Sequence, residues 1–465
     1  MNEMPGRSLQ RIETTQRIRS DLHPLGCFYP LENLLVDILY KILPLLFLTM
    51  LGGCTQEEQP HLRLVNLAHL NHLYEEVTIA AMPMAIVHIY SEYPDYGWVN
   101  AGDEGIACVD DAARAAVLYL RHFEITCDTL SLHRARRLID FCRHLQDEDG
   151  RFYNFIFADH SINRTGQTSY KSLGWWTARA VWAMGEGYRV WRERDPAYAA
   201  ALQDHLQKAF THIDSLLQHY PRVDTVNGFA VPRWLLHNSA ADATSELVLG
   251  LSAYYRASGD ARVKAYLQRF GEAFVISQLG DRGQFPYGAI RSWHQVWHGW
   301  GNAQTQGLAT LAGELRQSEF LAASSLEADS FFRYVQREGF PREMEFAKSG
   351  EQVRLLKLER FPQIAYALRP MIVGSLRLAE ASGQARFAEL AGDLATWFFG
   401  KNAAAAQMYD PASGRGFDGI LSETEINRNA GAESTIEALY AILEVEANPI
   451  ARQRLYEAIG VTTNE

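Results

Sequence analysis

The stretch YGWVNAGDEGIACVDDAARAAVLYL (96–120) concentrates acidic side chains just before an apolar pattern with helical spacing. It contains Asp103, Asp110 and Asp111, and Arg114 follows within one helical turn. A carboxylate at the start of a helix stays charged easily, because unpaired backbone N–H groups and the helix dipole favour anions there. Each of these acids, taken alone, could simply satisfy local donors at a helix start.

A single acid opens the last long apolar pattern, in NRNAGAESTIEALYAIL (427–443). Glu433 follows Gly431 and Ala432, which are small residues that leave room for a ligand. Two carboxylates on either side of a cleft are what cleavage of a glycosidic bond requires. One carboxyl group donates a proton to the leaving oxygen, and the other activates water or attacks the sugar.

This chemistry gives Glu433 the role of general acid and leaves the base open among Asp110, Asp111 and Asp103. The side chains expected to orient these carboxylates and contact substrate are Arg114, Arg428 and Asn429. The chemistry works only if the first and last acidic stretches lie close together in the fold.

Helical periodicity dominates the chain from residue 66 onward. No stretch alternates between apolar and polar residues regularly enough to predict a sheet of any size. Twelve apolar stripes are present, at 67–89, 107–124, 131–146, 173–191, 197–219, 240–257, 260–278, 300–315, 323–337, 362–381, 384–399 and 431–446. Every second stripe recurs after roughly 60 to 70 residues, which predicts a helical hairpin repeated about six times.

The connections between these helices alternate between long and short. Long loops precede the second helix of each pair, whereas links such as ASGDAR between pairs contain only a few residues. Three long loops, DEDGRFYNFI, GDRGQFPYGAI and DPASGRGFDGI, place a glycine-containing turn before aromatic residues. We therefore predict an all-α fold, a closed (α/α)6 toroid of six helical hairpins, with the second helices inside and the long loops on one face. The first and sixth inner helices are then neighbours, and the two acidic stretches meet.

The long loops also carry aromatic and polar side chains suited to a sugar. Aromatic rings pack on the apolar faces of pyranoses, while His, Asn and Arg can hydrogen-bond to hydroxyl groups. The substrate-binding candidates are Tyr170, Lys171 and Trp175; Arg233, Trp234 and His237; and Trp293, His294, Trp297, His298 and Asn302. Trp176 and Trp182 are instead expected to pack between helices.

A metal site is not predicted. His294 and His298 have the i, i+4 spacing that can bind zinc, but no acidic residue accompanies them and HExxH is missing. No cofactor is predicted either. The net charge of −11 and the pI near 5.8 argue against nucleic acid as a partner. The expected partner is an oligo- or polysaccharide, bound by a monomer.

The segment KILPLLFLTMLGGCTQEEQ (41–59) has the features of a secretory signal. A short positive flank precedes an apolar run that is too short to span a bilayer, and small residues lead to Cys54. Leu51-Gly52-Gly53-Cys54 resembles a bacterial lipobox, in which the cysteine receives the lipid. The expected location is therefore the bacterial cell envelope, in the outer membrane or a periplasm-facing membrane. The predicted segments are an extension with a signal (1–53), a tether (54–65), the toroid (66–450) and a tail (451–465).

The predicted toroid, with acids on its first and last inner helices, resembles the six-hairpin glycosidase superfamily. CVDDAARA (108–115) and NRNAGAEST (427–435) are similar to CTDDNARA and NPNQGAEST of the helical toroid domains associated with bacterial glycosyltransferases. NAGDEG (100–105) is more weakly similar to DAGDxG of glycoside hydrolase family 9, with Asn100 where that family has its first Asp.

The resemblance and the paired acids together imply a carbohydrate-active enzyme, with glycoside hydrolysis as the expected reaction. A polysaccharide lyase on the same toroid is an alternative, with Tyr170, His237, His294 or Arg233 acting next to a uronate. A non-catalytic glycan-binding surface lipoprotein is a third interpretation, and it predicts binding without turnover.

Membrane fractions should contain a mature protein that begins at modified Cys54. Changing Cys54→Ala should remove the lipid, which mass spectrometry of the N-terminal peptide would detect. A soluble cytoplasmic protein that retains residues 1–53 would contradict this prediction.

Overall fold

The computed structural model of the chain describes residues 62–100 and 102–461. The predicted extension, signal segment and Cys54 lie outside these residues, as does most of the tether. Within the described part of the chain, no helix is both long enough and apolar enough to cross a membrane.

Helices make up most of the described chain. In chain order they are α1 (Ala68–Leu73), α2 (Val109–Thr126), α3 (Thr129–His144), α4 (Trp175–Trp191), α5 (Pro196–Leu217), α6 (Ala241–Ser258), α7 (Ala261–Ile276), α8 (Gln304–Leu315), α9 (Ser318–Leu326), α10 (Arg333–Arg337), α11 (Ala365–Ser382), α12 (Ala385–Ala395), α13 (Ala432–Ala447) and α14 (Pro449–Ile459). A π-helical segment, Glu327–Phe332, joins α9 to α10, and a 3₁₀ turn, Thr396–Phe398, extends α12.

Short strands fill the connections. They are β1 (Tyr74–Ile79), β2 (Met82–Val87), β3 (Tyr90–Glu92), β4 (Gly97–Val99), β5 (Ala107–Cys108), β6 (Phe155–Ile156), β7 (Val223–Val226), β8 (Phe229–Pro232), β9 (Gln278–Leu279), β10 (Ala289–Ile290), β11 (Val296–His298), β12 (Glu343–Ser349), β13 (Gln352–Glu359), β14 (Tyr409–Asp410), β15 (Arg415–Gly416), β16 (Gly419–Ser422) and β17 (Glu425–Asn427). All of their sheets are antiparallel pairs except β11-β12-β13, which has three strands.

Six inner helices form a closed ring, as the sequence predicted. They are α2, α4, α6, α8, α11 and α13; each contacts the next, and α13 contacts α2. Small residues allow the close approach: a Cβ atom built on Gly185 of α4 would lie 2.2 Å from the carbonyl oxygen of Gly250 in α6. The backbones of α4 and α6 therefore touch, and no larger residue fits at either position.

Each outer helix packs against the inner helix that precedes it in the chain. The outer helices are α3, α5, α7, α9 with α10, α12 and α14. The links from inner to outer helices are short, and those at Gly259 and Gly383 turn through a left-handed residue, with φ of 67° at both positions. The long connections therefore all run from outer to inner helices and lie at the N-terminal end of the inner ring.

The first and last parts of the toroid differ from the prediction. The stripe at 67–89, expected to be a helix, forms α1 and the β1–β2 hairpin, in which Val77 and Ile79 are buried while Thr78 between them is exposed. The sixth outer helix is instead α14, which lies largely in the segment assigned to a tail. Asn448 caps α14 by accepting hydrogen bonds from the N–H groups of Ile450 and Ala451.

The outer layer contains one buried acid that no cation contacts among the described residues. Glu327 accepts a hydrogen bond from the N–H of Ile290 at 2.7 Å and another from the Thr305 hydroxyl at 2.5 Å. Burial raises the pKa of Glu327 from 4.5 to about 8, and the two hydrogen bonds oppose that rise. The folded protein therefore holds this proton at pH values where the unfolded chain has released it.

Stability should consequently fall as pH rises from about 4.5 to about 8, because the folded state binds one more proton than the unfolded state in that window. Glu327→Gln removes the titration, so the variant should gain stability relative to wild type as pH increases. Urea unfolding between pH 5 and pH 9 would measure this difference. Glu351→Gln, at an exposed turn, is the matched control. Parallel stability curves for wild type and Glu327→Gln would contradict the prediction.

Candidate active site

A cavity of about 270 Å³ opens at the N-terminal end of the inner ring. Its lining includes four carboxylates, from Asp110, Asp111, Asp418 and Glu433. The two acidic stretches of the sequence thus lie at the same end of the toroid and line one cavity. Their proximity depends on closure of the ring, since α2 carries the first stretch and α13 carries Glu433.

Arg114 connects the two helices. Its Nη2 lies 2.6 Å from Asp111 Oδ1 on α2. Its Nη1 lies 3.0 Å from Glu433 Oε2 and 3.2 Å from Glu437 Oε1, both on α13. Arg114, Asp111 and Glu437 are buried, whereas the Glu433 side chain is 44% exposed. Glu433 is therefore the member of this cluster that solvent and ligands reach most readily.

Asp111 is fixed at the first turn of α2. Cys108, the N-cap residue, accepts a hydrogen bond from the Asp111 N–H through Sγ, and its thiol donates to Asp111 Oδ2 at 3.3 Å. Burial raises the pKa of the Asp111 carboxyl group, while the Arg114 guanidinium works in the opposite direction. The Cys108 thiol, whose pKa burial raises well above its usual range, stays protonated and can donate.

Asp110 faces the other side of the cavity. Arg179 Nη1 from α4 lies 2.7 Å from Asp110 Oδ1, and Asn154 Nδ2 donates to Asp110 Oδ2 at 3.1 Å. Arg179 also donates through Nη2 to the Tyr366 hydroxyl at 2.7 Å. Tyr366 on α11 in turn donates to Glu246 Oε1 on α6 at 2.9 Å. This chain of contacts forms the floor of the cavity.

Arg369 holds together the carboxylates below that floor. It is fully buried and donates to Glu437 Oε2 at 2.6 Å, to Glu246 Oε1 at 3.0 Å and to Gln306 Oε1 at 3.0 Å. Its three partners come from α13, α6 and α8. The centre of the ring is thus a network of ion pairs and hydrogen bonds. Three aromatic rings, those of Trp182, Tyr366 and Tyr440, lie within cation–π distance of Arg369.

Asp418 is a carboxylate of the cavity that the sequence analysis did not single out. It lies in the predicted loop DPASGRGFDGI, directly before β16. Its Oδ1 accepts hydrogen bonds from the Gly431 N–H at 2.9 Å and from the Ser434 hydroxyl at 2.6 Å. Burial raises the pKa of Asp418, these hydrogen bonds lower it, and nearby Glu433 raises it further.

The rim of the cavity is aromatic. Tyr90 on β3 is 41% exposed, and Phe155 on β6 faces the cavity as well. Neither residue was among the substrate-binding candidates, although Phe155 lies in the predicted loop DEDGRFYNFI. Tyr90 belongs to a hairpin, β3–β4, whose short alternating strands escape detection by helical periodicity.

Several predicted site residues lie elsewhere. Trp297 is buried in the core against Phe331, and Trp234 is buried with its Nε1 donating to the Arg269 carbonyl at 2.8 Å. Both were expected to face a sugar, and these two assignments are wrong because large aromatic side chains in this fold also fill the space between helices. Trp182 is buried, as predicted.

His298 and Asn302 are also buried. His298 Nε2 contacts Asp242 Oδ2 at 2.8 Å, and its ring stacks on Trp300. Asn302 hydrogen-bonds through Nδ2 to the carbonyls of Gly299 and Ala367. These contacts give both residues a structural role in the segment before α8, so direct substrate contact is not their observed role.

The remaining candidates lie outside the lining of the cavity. Trp175 packs beside the floor with Arg179 over its ring, while Lys171 and Arg233 form ion pairs with Asp147 and Asp149 and with Asp224. Asn429 accepts a hydrogen bond from the Tyr93 N–H at 3.0 Å. The other candidates are exposed or only partly buried: Asp103, Tyr170, His237, Trp293, His294 and Arg428. Their role as substrate contacts stays a prediction.

In the described part of the chain, no three His, Cys, Asp or Glu side chains are grouped so that they could hold a metal ion. The described residues of the cavity supply carboxylates, two guanidinium groups, tyrosine and serine hydroxyls and one thiol.

The sequence matches no known family model and no curated protein. Solved structures with a similar fold include cellobiose 2-epimerase from Bacillus thermoamylovorans B4167, with a TM-score of 0.57 and 11% identity, covering 82% of this chain and 96% of that one. Cellobiose 2-epimerase from Spirochaeta thermophila DSM 6192 gives 0.57 and 13%, covering 91% and 99%. A D-mannose isomerase gives 0.51 and 10%, covering 77% and 90%.

These similarities, at 10–13% identity, concern the fold alone, and they confirm the predicted (α/α)6 toroid. The finer similarity to glycosyltransferase-associated domains stays a prediction.

Replacing Arg369 with Leu should destabilise the fold by about 3–5 kcal/mol, because Glu246 and Glu437 would be left buried without this cation. Chemical denaturation would measure the loss. Arg354→Leu, on the exposed side of β13, is the matched control and should change stability little. Adding Glu246→Gln and Glu437→Gln to the Arg369→Leu variant should restore part of the loss. If Arg369→Leu were as stable as wild type, the network would not stabilise the ring.

Proposed function

We propose that this protein is a carbohydrate-active enzyme that hydrolyses glycosidic bonds in an oligo- or polysaccharide. The observation that carries the proposal is the gathering of four carboxylates, from Asp110, Asp111, Asp418 and Glu433, in one cavity with an aromatic rim. The toroid is a fold on which the similar solved proteins, by their names, process sugars. Paired carboxylates are the groups that glycoside hydrolysis uses.

Glu433 is the proposed base or nucleophile. It is the half-exposed acid of the Arg114 cluster, and its Oε2 accepts a hydrogen bond from Arg114 at 3.0 Å. An oxygen that accepts from a guanidinium group is poorly placed to carry the proton of a general acid. Glu433 thus stays at the centre of the proposed reaction, as base or nucleophile and not as the general acid predicted from the sequence.

The other residues of the cavity position these groups. Arg114 fixes the distance between Asp111 and Glu433, and Arg179 fixes Asp110. Tyr90 and Phe155 offer ring faces against which a pyranose can pack. The hydroxyl groups of such a sugar can donate to the carboxylates that line the cavity.

Epimerisation is the second candidate, because it is the reaction named for two structures with a similar fold. It requires a base that reaches a proton on sugar carbon. His298 could be such a base in chemical terms, but it is fully buried and contacts Asp242. The lyase alternative requires a cation for the uronate carboxylate, and both arginines of the cavity are already paired with acids. The contacts of the described residues therefore favour hydrolysis.

We further propose that the enzyme acts in the cell envelope, held there by a lipid on Cys54. This proposal rests on the sequence around Cys54 alone.

A polysaccharide panel treated with the purified protein would test the reaction. New reducing ends indicate hydrolysis, an altered sugar at an existing reducing end indicates epimerisation, and absorbance from an unsaturated uronate indicates a lyase. Binding without any of these products would support the glycan-binding interpretation.

On a hydrolysed substrate, Glu433→Gln should lower kcat by about 10²-fold or more, because catalysis by a positioned acid or base contributes at least that much. Its fold should persist, since the amide retains an oxygen that can accept from Arg114. Glu425→Gln, on the exposed strand β17, is the matched control and should retain wild-type kcat. Unchanged turnover by Glu433→Gln would remove Glu433 from the mechanism.

A further inference from the structure

Asp418 reaches the cavity from a different part of the chain than the acidic stretches at the starts of α2 and α13. It precedes β16, in the loop between α12 and α13, and lines the same cavity as Glu433. Its backbone N–H donates to the Asn429 carbonyl at 2.9 Å, which fixes the loop beside the start of α13. The inference that follows rests on the proposed hydrolysis and concerns which group supplies its proton.

The two oxygens of Asp418 have different surroundings. Oδ1 accepts both hydrogen bonds, from the Gly431 N–H and the Ser434 hydroxyl. None of the hydrogen bonds within the described chain involves Oδ2, and no Lys, Arg or His nitrogen of those residues forms an ion pair with Asp418. One oxygen is therefore anchored to the protein, while the other is free to carry a proton and to meet a ligand in the cavity.

We propose that Asp418 is the general acid of the reaction and Glu433 its partner. The Asp418 Oδ2–H proton passes to the glycosidic oxygen, the bond between that oxygen and the anomeric carbon breaks, and the bonding electrons stay on the oxygen. When water attacks the anomeric carbon directly, without a covalent intermediate on Glu433, its oxygen bonds to that carbon and it gives one proton to Glu433. One water is consumed, and each of the two sugar products gains a hydroxyl group. Glu433 then releases its proton to solvent and Asp418 takes one up, which restores both side chains to their starting states.

The surroundings of Asp418 favour the protonated form of its carboxyl group. Burial raises its pKa, and nearby Glu433 raises it further. The titratable groups that face it are Glu433 from α13 and Tyr90 from β3. The N–H of Gly431 and the hydroxyl of Ser434 lower the pKa by donating to Oδ1. Glu433 and Asp418 thus differ in kind: one contacts a guanidinium group, and the other contacts only neutral donors.

A purely structural role for Asp418, capping the start of α13, is the competing explanation. The two roles separate in Asp418→Asn, because the Asn Oδ1 can still accept from Gly431 and Ser434 but the amide cannot serve as a proton donor of the same strength. The matched control is Asp410→Asn, in the same loop. Asp410 also accepts hydrogen bonds in a turn, from the Ala412 N–H and the Ser413 hydroxyl, and does not line the cavity.

The test uses the mature protein with two aryl glycosides of the sugar that the panel identifies. A dinitrophenyl glycoside has a leaving group that departs without protonation, whereas a phenyl glycoside needs the acid. Asp418→Asn should lower kcat about 10²-fold or more on the phenyl glycoside and less than about tenfold on the dinitrophenyl glycoside. The alkaline limb of its kcat/KM profile should disappear, and its Tm should match that of Asp410→Asn.

Equal losses on both glycosides, or an alkaline limb that persists in Asp418→Asn, would overturn the assignment of Asp418 while leaving hydrolysis intact. A wild-type protein that releases sugar from neither glycoside nor from any polysaccharide would overturn the proposed function, and the role of Asp418 with it.

Discussion

The guanidinium group of Arg114 makes the contact on which both the ring and the cavity depend. It pairs with Asp111 on the first inner helix and with Glu433 and Glu437 on the last. Buried charges are tolerated only when they are paired, so the helices α2 and α13 cannot separate without exposing or stranding these groups. Arg369 forms similar ion pairs deeper in the ring, where it joins α11 to α6 and α13. The same ion pairs that close the toroid thus arrange the acids that line its mouth.

Most of the fold could be predicted from the sequence, because an apolar stripe with helical spacing is a local signal that each buried helix must carry. The first and last elements of the toroid were harder to predict. Residues 74–87 are apolar enough to suggest a helix, but Pro83 and the β-branched Val77 and Ile79 favour the hairpin that forms there. The helix α14 has few buried apolar side chains, among them Leu455 and Tyr456, so its stripe is weak. Its stability comes from packing against α12 and α13, which no local pattern reveals.

The residues of the candidate site, too, could be predicted only in part from the sequence. Acids at the starts of α2 and α13 could be located, because helix starts and a closed ring together imply that they meet. Trp234 and Trp297 were misplaced, since a sequence rich in tryptophan does not distinguish a ring that packs in the core from one that faces a ligand. Tyr366 and Arg179 lie within helices and form the floor, with Arg369 below it, only through side-chain contacts between distant helices. Asp418 lies in a turn, where an aspartate is usually explained by local hydrogen bonds.

Closure of the ring has a consequence for the order of folding. Arg114 and Glu433 are 319 residues apart in sequence, and joining points so far apart in a flexible chain costs about 5 kcal/mol in loop-closure entropy. During synthesis, the hairpins from α2 to α12 emerge and can pack on one another before α13 is available. The cavity therefore exists only after the last hairpin docks on the first, so its assembly reports that the whole toroid has folded.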